Sequence, residues 1–210
     1  ISACLVGSEM CIRDRNGTFQ NVTLAQPSAF PALGTAAGFN GSSSRVRVPA
    51  NAAFQLGTGN FSVEAWARTP VATRGDIFNY KNANDFGLFL NNNGTGSISG
   101  WHNGQLPVFT TTLDAWHHIV ATRSNGVLRL YVNGVERGSQ ANTQSFSANA
   151  DLFLGANHTG APAYAGTIWF NGWIDEVAVY ASALSPARIL AHYNAAQPPP
   201  TPATISILPA

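Results

Sequence analysis

Two dipeptides, Asn125-Gly126 and Asn133-Gly134, constrain the chain more than any other feature. Asn-Gly is the strongest short-range signal for a two-residue hairpin turn, because both turn positions take φ > 0. The runs around them, Trp116 to Thr122, Val127 to Val132 and onward from Val135, are rich in β-branched and aromatic residues. Asp114 to Gly138 therefore reads as a β-meander. In its middle strand Leu128, Leu130 and Val132 share one face, while Arg129 and Tyr131 share the other. That period of two buries one side of a sheet and leaves the opposite side polar. Sheets of this kind stack in pairs.

Similar runs recur along the chain. Asn16 to Pro27 reads as a strand closed by a Pro turn, and Ala36 to Pro49 as a bulged strand pair. Phe61–Arg68 is a clear strand with Phe61, Val63, Ala65 and Ala67 on one face. Gly75–Tyr80, Phe86 to Asn91, Ser97 to Gly100, Pro107 to Thr111, Asp151 to Gly155 and Trp173 to Tyr180 follow. Ser185-Pro186 opens the one convincing helix, with an N-cap Ser, Pro at the first helical position, and Ile189, Leu190 and Tyr193 available for its apolar side. The expected fold class is all-β: a two-sheet antiparallel β-sandwich with one short C-terminal helix.

Several of these segments also resemble a known family. Trp116-His-His-Ile-Val-Ala-Thr, then Leu128-Arg-Leu-Tyr-Val-Asn-Gly134, Trp173-Ile-Asp-Glu-Val-Ala-Val-Tyr180 and Ala183-Leu-Ser-Pro186 look like the laminin-G-like jelly roll of the concanavalin A-like lectin/glucanase superfamily. Phe39-Asn-Gly-Ser resembles the family's Phe-Asp-Gly-Ser, with Asn40 where Asp is usual. The resemblance covers about residues 16–196, one sandwich in size. It implies a concanavalin A-like jelly roll, most often a secreted, lectin-like binding module.

Charge narrows the partners. Only 10% of the 210 residues are charged and the formal net charge is +1, which gives no basic footprint for nucleic acid. No apolar run approaches the roughly 18 residues of a membrane span. Cys4, Cys11 and Met10 all fall in Cys4 to Arg15, a stretch without hydrophobic period. Leu5 to Asp14 also matches one frame of a transposase-type sequencing adapter, so residues 1–15 read as foreign and their cysteines carry no disulfide or metal argument. A chain beginning at Asn16 is then expected to be as stable as the whole. Residues 16–197 read as the sandwich, 198–202 as a Pro-rich linker and 203–210 as the start of a further domain. The resemblance implies an extracellular or cell-surface location, in a bacterial multidomain protein.

The chain offers no catalytic constellation. Glycosidic cleavage needs two carboxyls on one side of a substrate, and no Glu-x-Asp-x-Glu strand is present. Asp175 and Glu176 are neighbours, so a regular strand points them to opposite faces. His117 and His118 diverge in the same way, and His102, His158 and His192 are scattered. Six Asn-x-Ser/Thr sequons follow from composition. Glu64 and Trp66 are expected to be scaffold, and Trp116 and Trp173, being in strands, core.

A non-catalytic, carbohydrate-binding module is the expected function. Its partner would be a glycan or a cell-surface ligand, with a protein–protein adhesion or spacer module, or an accessory domain of a glycoside hydrolase or peptidase, as alternatives. Sugar rings stack on aromatic faces and need a few placed polar groups, so the loop residues Trp101, His102, Tyr164 and Trp169 are the expected site. The resemblance further implies a structural Ca²⁺, held by Asp175 with help from Asn40. Calcium takes six to eight oxygens, and neutral Asn in both Phe39-Asn-Gly and Phe170-Asn-Gly would make such a site weak.

Overall fold

The computed structural model describes Ser2–Val6 and residues 17–29, 34–50, 56–80, 86–90, 97–101, 109–146, 151–157 and 168–196. Two antiparallel sheets face each other. The first runs β13 (Val135–Ala141), β12 (Val127–Val132), β11 (His117–Ser124), β6 (Phe61–Arg68), β15 (Asn171–Tyr180), β4 (Thr35–Asn40) and β3 (Thr23–Pro27), with β1 (Ser2–Val6) also on β15. The second runs β10 (Phe109–Thr110), β9 (Ser97–Trp101), β8 (Phe86–Leu90), β7 (Gly75–Tyr80), β14 (Leu152–Leu154), β5 (Arg45–Val48) and β2 (Thr18–Gln20). No helix among the described residues is long and apolar enough to cross a membrane.

Alternation builds the core as the sequence requires. Phe61, Val63, Ala65 and Ala67 of β6 point inward with Leu128, Leu130 and Val132 of β12, against Val46, Val48, Ile77, Leu152 and Leu154 of the second sheet. Each large aliphatic chain buried this way contributes about 1.5–3 kcal/mol before entropy is counted. Both Asn-Gly turns take the expected conformation. Asn125 and Gly126 have φ of 49° and 73°, and Asn133 and Gly134 53° and 78°.

Three features differ from the sequence reading. Residues 16–27 are not one strand: at Asn21, φ 51°, the chain leaves β2 in the second sheet for β3 in the first. Ala36 to Pro49 is not a strand pair either, because β4 lies in the first sheet and β5 in the second. Asn40 turns that corner by accepting the backbone N–H groups of Ser42, Ser43 and Ser44 on Oδ1 at 2.9–3.1 Å, a local bond that competes with a hairpin. Finally, Ser2–Val6 pairs antiparallel with Val177–Tyr180. Ladder hydrogen bonds need no particular side chains, and the pairing of β4 with β15 ends at Ile174, which leaves that edge open to an extended segment.

Helix α1 (Pro186–Ala195) is capped by the Ser185 hydroxyl, which accepts from the Arg188 N–H at 3.3 Å. Ile189 packs with Val120 and Tyr131 on the outer face of the first sheet. The face that alternation marks as polar is thus partly roofed. At one end of the sandwich Arg123 is fully buried, between the rings of Phe61 and Phe146 at 4.9 and 4.7 Å from their centroids.

Deleting residues 1–15 should lower the melting midpoint by a few degrees, since each lost ladder bond costs about 0.5–1.5 kcal/mol net. Thermal melts of the two chains check this, and an unchanged midpoint would return Ser2–Val6 to the status of a foreign tail.

Candidate functional site

At the β3 edge of the first sheet, register sets Trp173 opposite Gly38 on one side and Arg68 on the other. The Arg68 guanidinium lies over the Trp173 ring, 4.9 Å from its centroid, and Asp114 holds it at 2.8–2.9 Å. The indole N–H points at Gln26 Oε1 at 3.4 Å. A cleft of about 190 Å³ opens here, lined by Thr23, Gln26, Gly38, Phe39, Asn40, Asn171, Gly172 and Trp173. No carboxylate lines it. Trp173 is half-buried rather than core, as is Trp116. The parity of the strand carried that information: Trp173 shares a face with Asp175, and Ile174 takes the inward place.

Farther along the same outer face, a second cluster lies beneath α1. Glu64 is buried and its carboxylate meets His118 Nε2 at 2.6 Å, His192 Nδ1 at 2.9 Å and the Tyr180 hydroxyl at 2.8 Å. Arg188 donates to His192 Nε2 at 2.8 Å, so Nδ1 carries the proton that Glu64 accepts. Trp66 stacks on His118, centroids 4.9 Å apart, and on Tyr193 of the helix at 6.0 Å. Burial would raise the Glu64 carboxyl, but its hydrogen bond and attraction to His118, aided by His192 and Tyr180, hold it below its ordinary value. These direct contacts leave no room for an ion between the groups. Among the described residues, no set of three or more His, Cys, Asp or Glu side chains could hold a metal. Glu64 and Trp66 serve as scaffold, although they pack under the helix and not between the sheets.

Asp175 is fully buried. Its Oδ2 accepts from the Ser28 hydroxyl and, at 3.2 Å, from the Ala29 N–H, and its Oδ1 from the Glu176 N–H at 3.0 Å. It fastens the chain after β3 onto β15. Asn40 is elsewhere: it pairs with Asn171, four residues before Asp175 on β15, about 13 Å along a strand. Its carbonyl is already taken by the turn at Ser42–Ser44. Asn40 and Asp175 therefore do not fit one calcium ion.

The loop aromatics are placed only in part. Trp169 is half-buried and bridges to Ala156. Trp101 closes β9, its backbone paired with Gly87, in the second sheet; its side chain, His102 and Tyr164 lie outside the described residues.

The family model of the concanavalin A-like lectin/glucanases superfamily, in its laminin G form, matches residues 40–190. The chain belongs to this family. No curated protein sequence matches it. Among solved structures, domain 4 of AbnA, a GH43 extracellular arabinanase from Geobacillus stearothermophilus in complex with arabinotriose, superposes with a TM-score of 0.61 at 23% identity. That match covers 90% of this chain and 86% of the other. The botulinum neurotoxin serotype D binding domain gives 0.67 at 15% identity, over 92% of this chain and 50% of its own. The serotype DC binding domain in complex with SialylT gives 0.65 at 15%, over 93% and 52%. The chain spans about half the length of these toxin domains, and identities this low establish the sandwich fold alone.

In this concanavalin A-like domain the last strand carries a titratable bulge. Glu176 sits at φ 45° where the register of β15 against β6 shifts. Burial, with the charges of Asp175 and Glu64, pushes its carboxyl up to about 7. Burial also raises Asp175, against the pull of its hydrogen bonds. A carboxyl raised in the folded state stabilises fully below its unfolded value, and that stability is lost as pH rises through the folded one. Glu64 acts oppositely: lowered on folding, it stabilises above its ordinary value and fails only in stronger acid. The melting midpoint should fall between about pH 5 and pH 8, and Glu176→Gln should flatten that fall by roughly 2–4 °C, taking about 1 kcal/mol for a half-exposed group. A slope unchanged by the substitution would refute it.

Asp175→Ala should cost about 1–3 kcal/mol by orphaning its donors, equally in EDTA and in millimolar calcium. A calcium-dependent rise in midpoint that Asp175→Asn removes would instead assign Asp175 to an ion.

Proposed function

We propose that this domain is a non-catalytic carbohydrate-binding module of an extracellular or cell-surface protein with further domains. The observation that carries the reading is the fate of its carboxylates. Cleaving a glycosidic bond takes two carboxyls about 5–10 Å apart with the sugar between them. Here Glu64 is sealed beneath α1, and Asp175 beneath Ser28 and Ala29, with Glu176 in the bulge beside it. None of the three lines the cleft. What this face offers a ligand is amides, a hydroxyl and an indole. The arabinanase domain in complex with arabinotriose, on the same fold, supports a sugar as the ligand.

The aromatics Trp101, Tyr164 and Trp169, with His102, are the proposed contacts. Rings of this type give sugar C–H faces a large apolar surface at little entropic cost. The test is a glycan array probed with the full chain, followed by alanine at Trp101 and at Tyr164. Each substitution is expected to abolish binding while the melt stays within about 0.5 kcal/mol of the parent. Retained affinity in both variants would remove these residues from the site. A chain that binds no glycan would be an adhesion or spacer module instead.

A further inference from the structure

We propose that the cleft beside Trp173 is a second binding site, for the neutral terminal ring of a saccharide. The proposal rests on the glycan-binding reading but not on the loop aromatics, because the cleft lies on the outer face of the first sheet and Trp101 belongs to the second.

Size is the first argument. At about 190 Å³ the cleft is smaller than the roughly 300–1,000 Å³ that encloses a drug-sized ligand. It takes one ring, with the rest of a chain in solvent. Shape is the second. Gly38, opposite Trp173 in the register, leaves the floor beside the indole without a side chain, and an added Cβ there would come within 3.2 Å of Gln26 Cγ. The glycine keeps Gln26 low and leaves the indole standing above the floor as the wall a sugar ring could stack on.

Polar chemistry is the third. Among the described residues the Asn171 amide meets no hydrogen-bond partner, nor does the Thr23 hydroxyl. The Gln26 amide uses one N–H on the Leu24 carbonyl at 3.2 Å and keeps the second. Amides and hydroxyls both donate and accept, as vicinal sugar hydroxyls do. Groups so exposed lose nothing by waiting in water and gain directional bonds when a ring displaces it. Charge then selects the class. Arg68 stands over the indole and Asp114 already pairs it, while the lining holds neither a free base for a sulfate or carboxylate nor an acid to repel one. Neutral rings fit this balance best.

The test uses the full chain and a fixed probe set: arabinotriose, lactose and cellotriose as neutral saccharides, and sialyllactose as the acidic one. Titrations are followed by NMR on the Trp173 indole resonance, assigned through its loss in Trp173→Phe. At least one neutral probe should shift that resonance. Asn171→Ala, which breaks no side-chain bond to the described residues, should weaken the affinity about fivefold without moving the melt. If a probe binds but neither the indole nor Asn171→Ala responds, the cleft proposal fails and the glycan reading stands. If no probe binds, both fail. Tighter binding of sialyllactose than of lactose at Trp173 would overturn the neutral class.

Discussion

The buried guanidinium of Arg123 sets one end of the sandwich. Every acceptor it meets among the described residues is neutral: the carbonyls of Leu56, Gly57, Gly59 and Gln144 and the side chain of Asn142. Burial pulls its pKa down, yet a guanidinium keeps its charge in any protein. That charge, with no carboxylate to neutralise it, can stay only because five oxygens and two aromatic faces converge on it. The two loops that supply them, 56–59 and 142–146, are also joined by a bridge between Gly57 and Phe146. The edge-on contact of Phe61 with Phe146, centroids 5.7 Å apart, belongs to the same arrangement. Shape at this end of the molecule is thus specified by a polar group, where most of the sandwich relies on apolar volume.

Much of this was legible in the sequence, for identifiable reasons. The Asn-Gly turns could be read because few residues tolerate φ > 0, and β6 and β7 because their alternation or apolar density is unbroken. Ser185-Pro186 announced the helix. Strand parity even held the place of Arg123, which follows Ile119 and Ala121 on the inward face, though charge argues against burial until its acceptors are known. What the sequence concealed is non-local. Whether two short strands pair with each other or with partners a hundred residues away is decided at corners such as Asn40, whose side chain bonds its own turn. The candidate site suffered most from this. Asn40 and Asp175 look complementary as residue types, yet strand register keeps them apart, while Trp173 reads as core unless strand parity, which sends Ile174 inward, is followed.

The outer face of the first sheet divides into two parts with different chemistry. Under α1, the Glu64 carboxylate joins two imidazoles and a phenol, and the aromatic stack of Trp66, His118 and Tyr193 covers them. Toward β3, amides and an indole are left with open valences. Asp175, tied to Ser28 and Ala29, stands at the border between them. A single sheet face thereby spends its titratable groups on holding the helix and keeps neutral groups for the exposed cleft.

The two crossings between sheets near the start of the chain have a consequence for the order of assembly. Arg47 is paired with Asp151, 104 residues away, and Ser28 with Asp175, 147 away. β4 and β5 find their long-range neighbours only in β15 and β14, close to the other end. During synthesis these early strands must leave the ribosome with unsatisfied edges and wait while the meander, whose contacts are local, forms first. The latest strand to emerge is inserted between β6 and β4 and completes the first sheet, so the domain gains most of its cooperativity in one late step.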